Sequence, residues 1–409
     1  MAQAPDAAAV ELTILMPCLN EAKTLETCIR KAQGFLERSG VRGEVIVGDN
    51  GSTDGSQEIA RRCGARLVEV PIRGYGAALY FASLAARGKY VIMGDSDDSY
   101  DFTNLLPFLE QLRAGCDVVI GNRFRGGVEA GAMPWTSHLG NPLMSAIGRL
   151  FFHCPVGDFW CGLRGYSREA FYKLDLRATG MEYALEMVIK ATLKGLKVVE
   201  VPTTLSPAGR GRAPHLRPVR DGWRGLRLML LLSPRWLFLY PGLLLLVCGL
   251  AGCLWLYPGP RLVGNVVFDF HSLLYAALAV LLGFQMLSFA ACARVFAARE
   301  GLLPGKIRGH DPNSLEFGIV SPDFPKRVTL EFGLVLGGVL AAAGLALSAG
   351  AVWVWSAAAF GPLDPSKTLR LAIPSVLLLA LGVQLTITSF LLELLSFESR
   401  RPGLTPKPE

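Results

Sequence analysis

The sequence contains 409 residues, of which 51% are hydrophobic and 18% are charged, and its formal net charge is +7. This composition excludes an ordinary soluble protein and indicates membrane-spanning segments. The positive charge collects beside apolar runs rather than among interleaved aromatic residues, so we expect no nucleic-acid partner. The nine cysteines form neither a CxxC motif nor a Cys/His zinc spacing, and we interpret them as reduced structural thiols.

The first part of the chain, up to Pro202, alternates short apolar runs with segments of helical period. Its N-terminal stretch lacks the basic and apolar regions of a secretory signal, so we expect this part to stay in the cytoplasm. Five runs predict strands: LTILMP, EVIVGD, RLVEVP, YVIMGD and DVVIGN. Four segments predict the helices between them: Glu21 to Glu37, Asp54 to Cys63, Gly76 to Arg87 and Asn104 to Arg113. Strand and helix in strict succession predict an α/β fold with a mostly parallel sheet.

Polar clusters follow four of the predicted strands: CLNE after the first, DNGSTD after the second, the aspartates of GDSDDSYDF after the fourth, and RFR after the fifth. Ligands of parallel sheets bind beyond the carboxyl ends of the strands. Convergence of four polar clusters on one edge therefore predicts a binding site there.

The GDSDDSYDF segment places Asp95, Asp97, Asp98 and Asp101 directly after a buried strand. An EF-hand loop does not fit, because the required glycine and glutamate positions hold tyrosine and leucine. Asp-x-Asp after a strand fits a site in which one or two carboxylates hold Mg²⁺ or Mn²⁺ together with substrate phosphates. A solvated turn is the alternative, since Asp and Ser are common turn residues.

Two further motifs have ordinary turn interpretations beside the functional ones. Asn50 to Asp54 can form a turn and cap the next helix, which leaves Asp49 at the strand end unexplained. The segment Arg73-Gly-Tyr-Gly76 is similar to part of a phosphate-binding glycine loop, but two glycines also suit a plain turn into a helix.

Together PCLNE, DNGSTDGS, RGYG, DSD and GNRF resemble, in order and spacing, the family 2 glycosyltransferases with an A-type nucleotide-sugar fold. The segment Asp158 to Tyr166, DFWCGLRGY, is similar to the D-x-x-S/C-G-[FL]-R segment of the polyprenyl-phosphate branch, typified by dolichyl-phosphate mannose synthase and bactoprenol-phosphate glucosyltransferases. The resemblance covers about Leu12 to Pro207 and extends to the presence of C-terminal membrane helices. The Q-x-x-R-W signature of processive synthases is missing from this half, so repeated chain extension is not expected.

The resemblance implies roles for individual residues. Those implied to bind the donor nucleotide are Pro17, Asn20, Glu21, Asp49, Gly51, Ser52, Arg73, Gly76, Asp95 and Ser96. Those implied to hold the metal are Asp95 and Asp97, with Ser99 as the positional candidate for a third contact, because this chain has Asp98-Ser99 where mannose synthases often have Leu-Gln. Those implied to be catalytic are Asp97, Arg123, Asp158 and Arg164. We expect the arginines to neutralise phosphates and Asp158 either to touch the acceptor or to orient Arg164.

A strongly basic segment, Ala208 to Arg235, follows the α/β part and carries an apolar side. It predicts a juxtamembrane helix that lies in the membrane interface. Its arginines can be a flank attracted to anionic lipid. Alternatively Arg210, Arg212 and His215, which lie in a stretch broken by Gly and Pro, can clasp an acceptor phosphate.

Four apolar runs are long enough to span a membrane: Trp236 to Tyr257, Leu273 to Ala293, Val328 to Trp355 and Leu371 to Leu395. Lys and Arg are abundant before the first run, between the second and third, and after the fourth, whereas the other two loops hold few. This bias predicts two hairpins with both termini and the α/β domain in the cytoplasm. The polar exceptions are Gln285, Gln384 and Glu393.

The predicted organisation is a glycosyltransferase domain at 1–205, a basic amphipathic segment at 206–235, four transmembrane helices at 236–397 and a cytoplasmic tail at 398–409. The predicted activity is inverting transfer of a hexose from a UDP- or GDP-sugar to polyprenyl monophosphate, such as undecaprenyl or dolichyl phosphate, with Mg²⁺ or Mn²⁺ as cofactor. A phosphomonoester is ionised near neutral pH, since its second pKa is about 6, so this acceptor needs little help from a general base.

Three alternatives stay open at this point. A diacylglycerol or ceramide acceptor would demand a carboxylate base, for example at Asp158 or Glu182. Glu182 and Glu186 share one helical face and can meet the sugar or simply lie on an exposed helix. A non-catalytic scaffold or transporter with a degenerate nucleotide-binding domain is the third alternative. The sequence leaves a homo-oligomer open.

Overall fold

The computed structural model describes residues 10–209, 211, 217–299 and 330–396. The chain divides into two compact units, Met1–Met229 and Leu230–Glu409, each of which is described by itself. The expected sites Arg210, Arg212 and His215 lie outside the described residues, as do the cationic loop at 300–329 and the tail at 397–409 that entered the topology prediction. The predicted boundaries at 205, 235 and 397 stay predictions.

The first unit is built on a seven-stranded sheet with the strand order β3-β2-β1-β4-β6-β5-β7. The strands are β1 Leu12–Cys18, β2 Gly43–Asp49, β3 Arg66–Glu69, β4 Tyr90–Met93, β5 Val118–Asn122, β6 Arg164–Ser167 and β7 Val198–Pro202. Every neighbouring pair is parallel except those that involve β6, which runs antiparallel to β4 and β5. The mostly parallel α/β sheet is therefore confirmed, and β6 and β7 are strands that the sequence pattern did not predict.

Helices connect and cover these strands. They are α1 Leu25–Ser39, α2 Ser56–Arg62, α3 Tyr75–Ala85, α4 Leu106–Arg113, α5 Arg123–Gly126, α6 Trp135–Phe152, α7 Arg168–Leu174, α8 Tyr183–Leu193 and α9 Pro218–Leu231. Strands β1 and β4 are buried along their whole length, as expected for central strands covered on both faces. Helix α3 lies close to β2, because a Cβ built at Gly48 would stand 2.7 Å from the main-chain oxygen of Ala78.

The second unit consists mainly of long apolar helices. A π-helical turn at Arg235–Leu239 leads into α10 Tyr240–Leu256, a short hairpin follows with β8 Arg261–Val263 and β9 Val266–Phe268, and the remaining helices are α11 Phe270–Arg299, α12 Leu330–Ala357 and α13 Pro365–Ser396. Within the described residues, four helices are long and apolar enough to cross a membrane: Arg235–Leu256, Phe270–Arg299, Leu330–Ala357 and Pro365–Leu395. The four predicted spans are thus confirmed as candidate membrane helices, and their orientation stays a prediction.

Glycines let the long helices approach one another closely. A Cβ at Gly249 of α10 would lie 2.6 Å from the main-chain nitrogen of Val280 in α11, and one at Gly382 of α13 would lie 2.6 Å from the main-chain oxygen of Gly337 in α12. Small residues at such crossings are typical of membrane helix pairs, which associate through close packing. A hydrogen bond of 2.7 Å from Gln384 Nε2 to Gln285 Oε1 also joins α13 to α11.

Candidate functional site

A cavity of about 910 Å³ lies beyond the carboxyl ends of β1, β2, β4 and β5 in the first unit. Its lining includes ten of the residues expected to function: Pro17, Asn20, Glu21, Gly51, Arg73, Asp95, Ser96, Asp97, Ser99 and Arg123. This size and mixed lining suit a small-molecule ligand. The parallel strands bring the sequence-distant motifs to one place, as expected for ligand sites of α/β sheets.

Asp95 and Asp97, which come shortly after the end of β4, line the cavity with their carboxylates. The Tyr75 hydroxyl donates to Asp95 Oδ1 at 2.8 Å. Asp97 Oδ1 accepts from the Ser99 main-chain nitrogen at 3.1 Å and from the Ser99 hydroxyl at 2.5 Å. Ser99 therefore orients Asp97 in this structure. The Ser96 hydroxyl donates to the Pro17 carbonyl oxygen at 2.6 Å, which ties the end of β4 to that of β1.

The other two aspartates of GDSDDSYDF have local partners. Asp98 adopts a left-handed conformation with φ 63° and pairs with Lys31 Nζ at 2.7 Å. Asp101 accepts from the main-chain nitrogen and hydroxyl of Thr103, as in a turn before a helix. The four acidic residues are thus unequal: Asp95 and Asp97 line the cavity, and Asp98 and Asp101 stabilise the turn.

The segment after β2 folds around Asp49. This buried carboxylate accepts from the main-chain nitrogens of Gly51 and Ser52 and from Gln57 Nε2 at 2.6 Å. The Ser52 hydroxyl accepts from the Asn20 main-chain nitrogen at 2.9 Å. Within the described residues that form the cavity, Gly51 is a lining residue, whereas Asp49 and Ser52 are not. Both act here as supports of the lining turn.

Gly76 is buried within α3 rather than lining the cavity formed by the described residues. A Cβ at this position would stand 2.4 Å from the Ala178 carbonyl oxygen and 2.7 Å from Tyr183 Cβ. The absence of a side chain therefore serves close packing of α3 against the segment before α8.

Arg123 and Asp158 form a buried bidentate ion pair. Arg123 Nε donates to Asp158 Oδ2 at 2.7 Å and Arg123 Nη2 donates to Oδ1 at 2.8 Å, and the side chains are 8% and 0% exposed. The main-chain nitrogens of Arg123 and Trp160 also donate to Asp158. Burial by itself would lower the pKa of Arg123, but its interactions with Tyr100 and with the Asp158 carboxylate raise this pKa above the ordinary arginine value. Asp158 therefore orients Arg123, and among the described residues it forms no ion pair with Arg164. A contact of Asp158 with the acceptor stays a prediction.

Arg164 is fully buried and braces the loop between Asp158 and β6. Its guanidinium donates to the main-chain oxygens of Cys161, Phe159 and Ala184 at 2.7, 2.6 and 2.5 Å. Burial lowers its pKa from the ordinary arginine value. In the part of the chain that the structure describes, Arg164 neither lines the cavity nor pairs with a carboxylate. Its placement supports a structural role in this loop.

The sequence left open whether Glu182 and Glu186, near the start of α8, face the sugar. Glu186 is buried, pairs with Lys190 Nζ at 2.7 Å, and accepts from the main-chain nitrogens of Arg177 and Ala178. Among the described residues, Met181 and Ala184 of this region line the cavity, and Glu182 and Glu186 do not.

The structure adds lining residues that the sequence analysis missed. They are Tyr75, Tyr100, Ser137, Asn141, Trp160, Arg217 and Arg220. Tyr75 and Trp160 lie inside motifs that were noticed for their other residues, whereas Ser137 and Asn141 come from α6, which lies well beyond the end of the preceding strand, β5. Arg217 and Arg220 belong to the basic segment. Their positive charge alone did not distinguish arginines that line the cavity from arginines that flank a membrane span. Asp221 accepts from the Arg217 main-chain nitrogen and from Arg220 Nε.

The carboxylates of the cavity fit a divalent cation of the Mg²⁺ or Mn²⁺ type in their donor chemistry, because such ions prefer oxygen ligands and keep several positions for water and phosphate. Among residues 10–209, 211, 217–299 and 330–396, no group of three or more His, Cys, Asp or Glu side chains could hold a metal ion by itself. A cation held by Asp95 and Asp97 would keep coordination positions for water and phosphate oxygens.

Comparison with known proteins identifies the family of this chain. Residues 13–175 match the family described as glycosyl transferase family 2, and residues 291–396 match the glycosyltransferase family 2 C-terminal transmembrane region. The low-salt glycan biosynthesis hexosyltransferase Agl6 of Haloferax volcanii is 35% identical over 384 residues, which cover 93% of this chain and 88% of that protein. A dolichyl-phosphate hexose transferase of the same organism is 32% identical over 193 residues, which cover 47% of this chain and 81% of that protein.

Solved structures give a more distant likeness. Glucosyl-3-phosphoglycerate synthase from Mycobacterium tuberculosis, crystallised with Mn²⁺ and UDP-glucose, is 25% identical over 55% of this chain and 79% of that chain, with a TM-score of 0.43.

Proposed function

The chain belongs to glycosyltransferase family 2, as a membrane member with hexosyltransferase relatives, and from this premise we propose that it transfers a hexose from a UDP- or GDP-sugar to polyprenyl monophosphate. The observation that carries the proposal is that Asp95 and Asp97 share one cavity with four arginines: Arg73, Arg123, Arg217 and Arg220. A carboxylate pair suits a metal-bound diphosphate, and separate cations suit further phosphate oxygens. The similarity to a dolichyl-phosphate hexose transferase supports the lipid phosphate as acceptor.

On the donor side, Asp95 and Asp97 would hold the divalent cation, which neutralises charge on the departing nucleoside diphosphate. Ser99 keeps Asp97 oriented through the hydrogen bond that its hydroxyl donates. Asn20, Glu21, Gly51 and the wall residue Pro17 would surround the nucleoside, with Asp49 and Ser52 holding their turn.

Arg123 is the proposed phosphate-neutralising residue inside the cavity. Asp158 engages its Nε and Nη2 atoms, so the guanidinium is held in one orientation before a ligand arrives. A fixed cation loses little conformational entropy on binding and stabilises developing negative charge without reorganising. Arg217 and Arg220 would meet the acceptor phosphate, together with Arg210, Arg212 and His215 of the undescribed stretch.

The reaction is an in-line displacement at the anomeric carbon of the sugar. An oxygen of the acceptor phosphate forms the new bond to that carbon, the bond to the diphosphate oxygen breaks, and nucleoside diphosphate leaves, with inversion of configuration. The acceptor is already anionic near neutral pH. The occupied carboxylate of Asp158 supports this choice, because a hydroxyl acceptor would need a free base and Asp158 accepts four hydrogen bonds.

The test uses membranes that contain the full chain, a panel of radiolabelled UDP- and GDP-hexoses, and polyprenyl phosphate or diacylglycerol as acceptor. We expect label in the lipid extract with one of the donors and polyprenyl phosphate. Asp97→Asn should lower transfer by about 100-fold or more, as loss of a charge-stabilising group does. Asp98→Asn is the matched control, since Asp98 pairs with Lys31 outside the cavity lining, and it should keep most of the activity.

Three outcomes would contradict the proposal. Label that enters diacylglycerol alone would give the enzyme a different acceptor. No labelled lipid with any donor would favour the non-catalytic scaffold, and unchanged transfer by Asp97→Asn would remove the metal assignment.

A further inference from the structure

The loop that leads into α3 is held on two sides. Asn50 Nδ2 donates to the Ile72 carbonyl oxygen at 2.8 Å, and the Gly74 main-chain nitrogen donates to Asn50 Oδ1 at 2.6 Å. Gly74 has φ 145° and touches the next segment so closely that a Cβ would stand 2.1 Å from the Thr179 carbonyl oxygen. The side-chain amide of Asn50 and the backbone at Thr179 therefore hold the backbone just before Tyr75 in one position.

From this position the Tyr75 side chain reaches Asp95, which lies 20 residues later, just after the end of β4. Its hydroxyl donates to Asp95 Oδ1 at 2.8 Å. The other carboxylate oxygen, Asp95 Oδ2, lies against Gly162, where a Cβ would stand only 2.5 Å away. The carboxylate thus lies between a hydrogen-bond donor and a backbone surface that only glycine provides.

Gly162 is itself held in place by a second tyrosine. Its main-chain nitrogen donates to the Tyr100 hydroxyl oxygen at 2.8 Å, and a Cβ at Gly162 would lie 3.1 Å from Tyr100 Cε2. Tyr75, Tyr100 and Gly162 all line the same cavity as Asp95. Tyr75, Gly162 and Tyr100, from three separate segments of the chain, therefore all contribute to the surroundings of this carboxylate.

We propose that Tyr75 is a positioning residue whose hydroxyl fixes the Asp95 carboxylate for binding a metal–diphosphate, with Asn50 and Gly162 as the supports of this arrangement. The inference rests on the proposed function and deepens it, because it explains the tyrosine of RGYG and the glycine of DFWCGLR as parts of the site that holds the donor. Hydrogen bonds to a ligating carboxylate orient it, and their loss commonly weakens metal binding by about 10–100-fold.

The experiment measures nucleotide binding to the purified full chain rather than turnover. UDP and GDP are titrated by calorimetry in the presence of Mn²⁺ and again in EDTA, and the nucleotide that binds the wild type is used for the variants. For Tyr75→Phe we expect the Mn²⁺-dependent gain in affinity to fall about tenfold, while affinity in EDTA stays unchanged. Tyr80→Phe is the matched control on the same helix, half-buried and outside the cavity lining, and should change either affinity by less than about twofold.

A second variant approaches the carboxylate from its other side. Gly162→Ala introduces the methyl group that would meet Asp95 Oδ2, and it should also reduce the Mn²⁺-dependent part of the affinity. Thermal unfolding without ligand establishes that each variant is folded, and Gly162→Ala serves as the test if Tyr75→Phe is not.

The outcomes separate this inference from the proposed function. Absence of any Mn²⁺-dependent nucleotide binding by the wild type would overturn the proposed function and the inference with it. Normal binding by the wild type together with an unchanged Mn²⁺ effect in Tyr75→Phe would overturn the inference alone. Equal weakening in Mn²⁺ and in EDTA would assign Tyr75 a direct contact with the nucleotide, which also contradicts positioning through Asp95.

Discussion

Replacement of Asp158 by alanine should destabilise the first unit strongly, because it leaves the Arg123 cation buried without its partner. The side chains of this pair are 8% and 0% exposed, and Asp158 accepts four hydrogen bonds. Removing one member of a buried ion pair costs about 3–5 kcal/mol. For a unit of this size, about 2–4 °C in Tm per kcal/mol predicts that the transition falls by about 10 °C.

The assay is thermal unfolding of the detergent-solubilised full chain, followed by intrinsic tryptophan fluorescence. The exposed pair Glu169 and Lys173 supplies a control with a similar separation of 2.6 Å between its charged atoms. Since exposed pairs contribute little, Glu169→Ala should leave the Tm unchanged within error. The contrast between the two alanine variants isolates burial as the cause.

A double variant tests whether the unpaired charge of Arg123 is what destabilises the first unit of Asp158→Ala. Arg123→Met combined with Asp158→Ala removes both charges, so it should unfold at a higher temperature than Asp158→Ala alone. If the double variant is as unstable as the sum of the two single variants, the two side chains are not coupled, and an uncompensated Arg123 cation is not the cause of the loss.

Two further predictions concern a cavity thiol and a pair of membrane helices. Burial raises the pKa of Cys18 to about 11, so only about 0.1% of this side chain is thiolate at pH 8. Iodoacetamide should therefore modify Cys18 far more slowly than half-buried Cys116 until the pH passes 10. Mass spectrometry measures the two rates, and equal rates at pH 8 would contradict this prediction. The raised folded-state pKa also affects stability. The stabilising contribution of the protonated Cys18 thiol is complete below the unfolded-state pKa and is lost as the pH rises towards 11. In the second unit, Gln285→Leu leaves the amide of Gln384 without its partner and should lower the Tm in detergent more than the double change Gln285→Leu with Gln384→Leu. A double variant less stable than the single one would refute this account.

Much of the candidate site follows from local sequence alone. A run such as YVIMGD ends a buried strand and is followed by acidic residues, and parallel strands carry such residues to one edge of the sheet. This is why Asp95, Asp97 and Arg123 could be expected to lie together. The four spans were likewise predictable, because about 20 apolar residues in succession have few other stable environments.

Pairing between distant segments could not be predicted in this way. From the sequence, Asp158 could either touch the acceptor or orient Arg164, which lies six residues later. In the structure its carboxylate binds Arg123, 35 residues earlier in the chain. Strand β6 was missed because RGYS is short and carries little apolar pattern, and its place between β4 and β5 depends on the whole sheet. The same is true of α6, whose cavity residues Ser137 and Asn141 lie well beyond the end of the preceding strand, β5.

The sequence by itself determined which residue types reach the edge of the sheet and which segments are apolar enough for a membrane, because both depend on periodicity and composition over a few neighbouring residues. Only the tertiary structure decided which of those residues face the cavity and which hold them there. Tyr75 bonds to Asp95, Gly162 leaves room for its second oxygen, and Asp158 orients Arg123. These relations arise from the packing of segments that are far apart in the chain, where a few tenths of an ångström separate a contact from a collision.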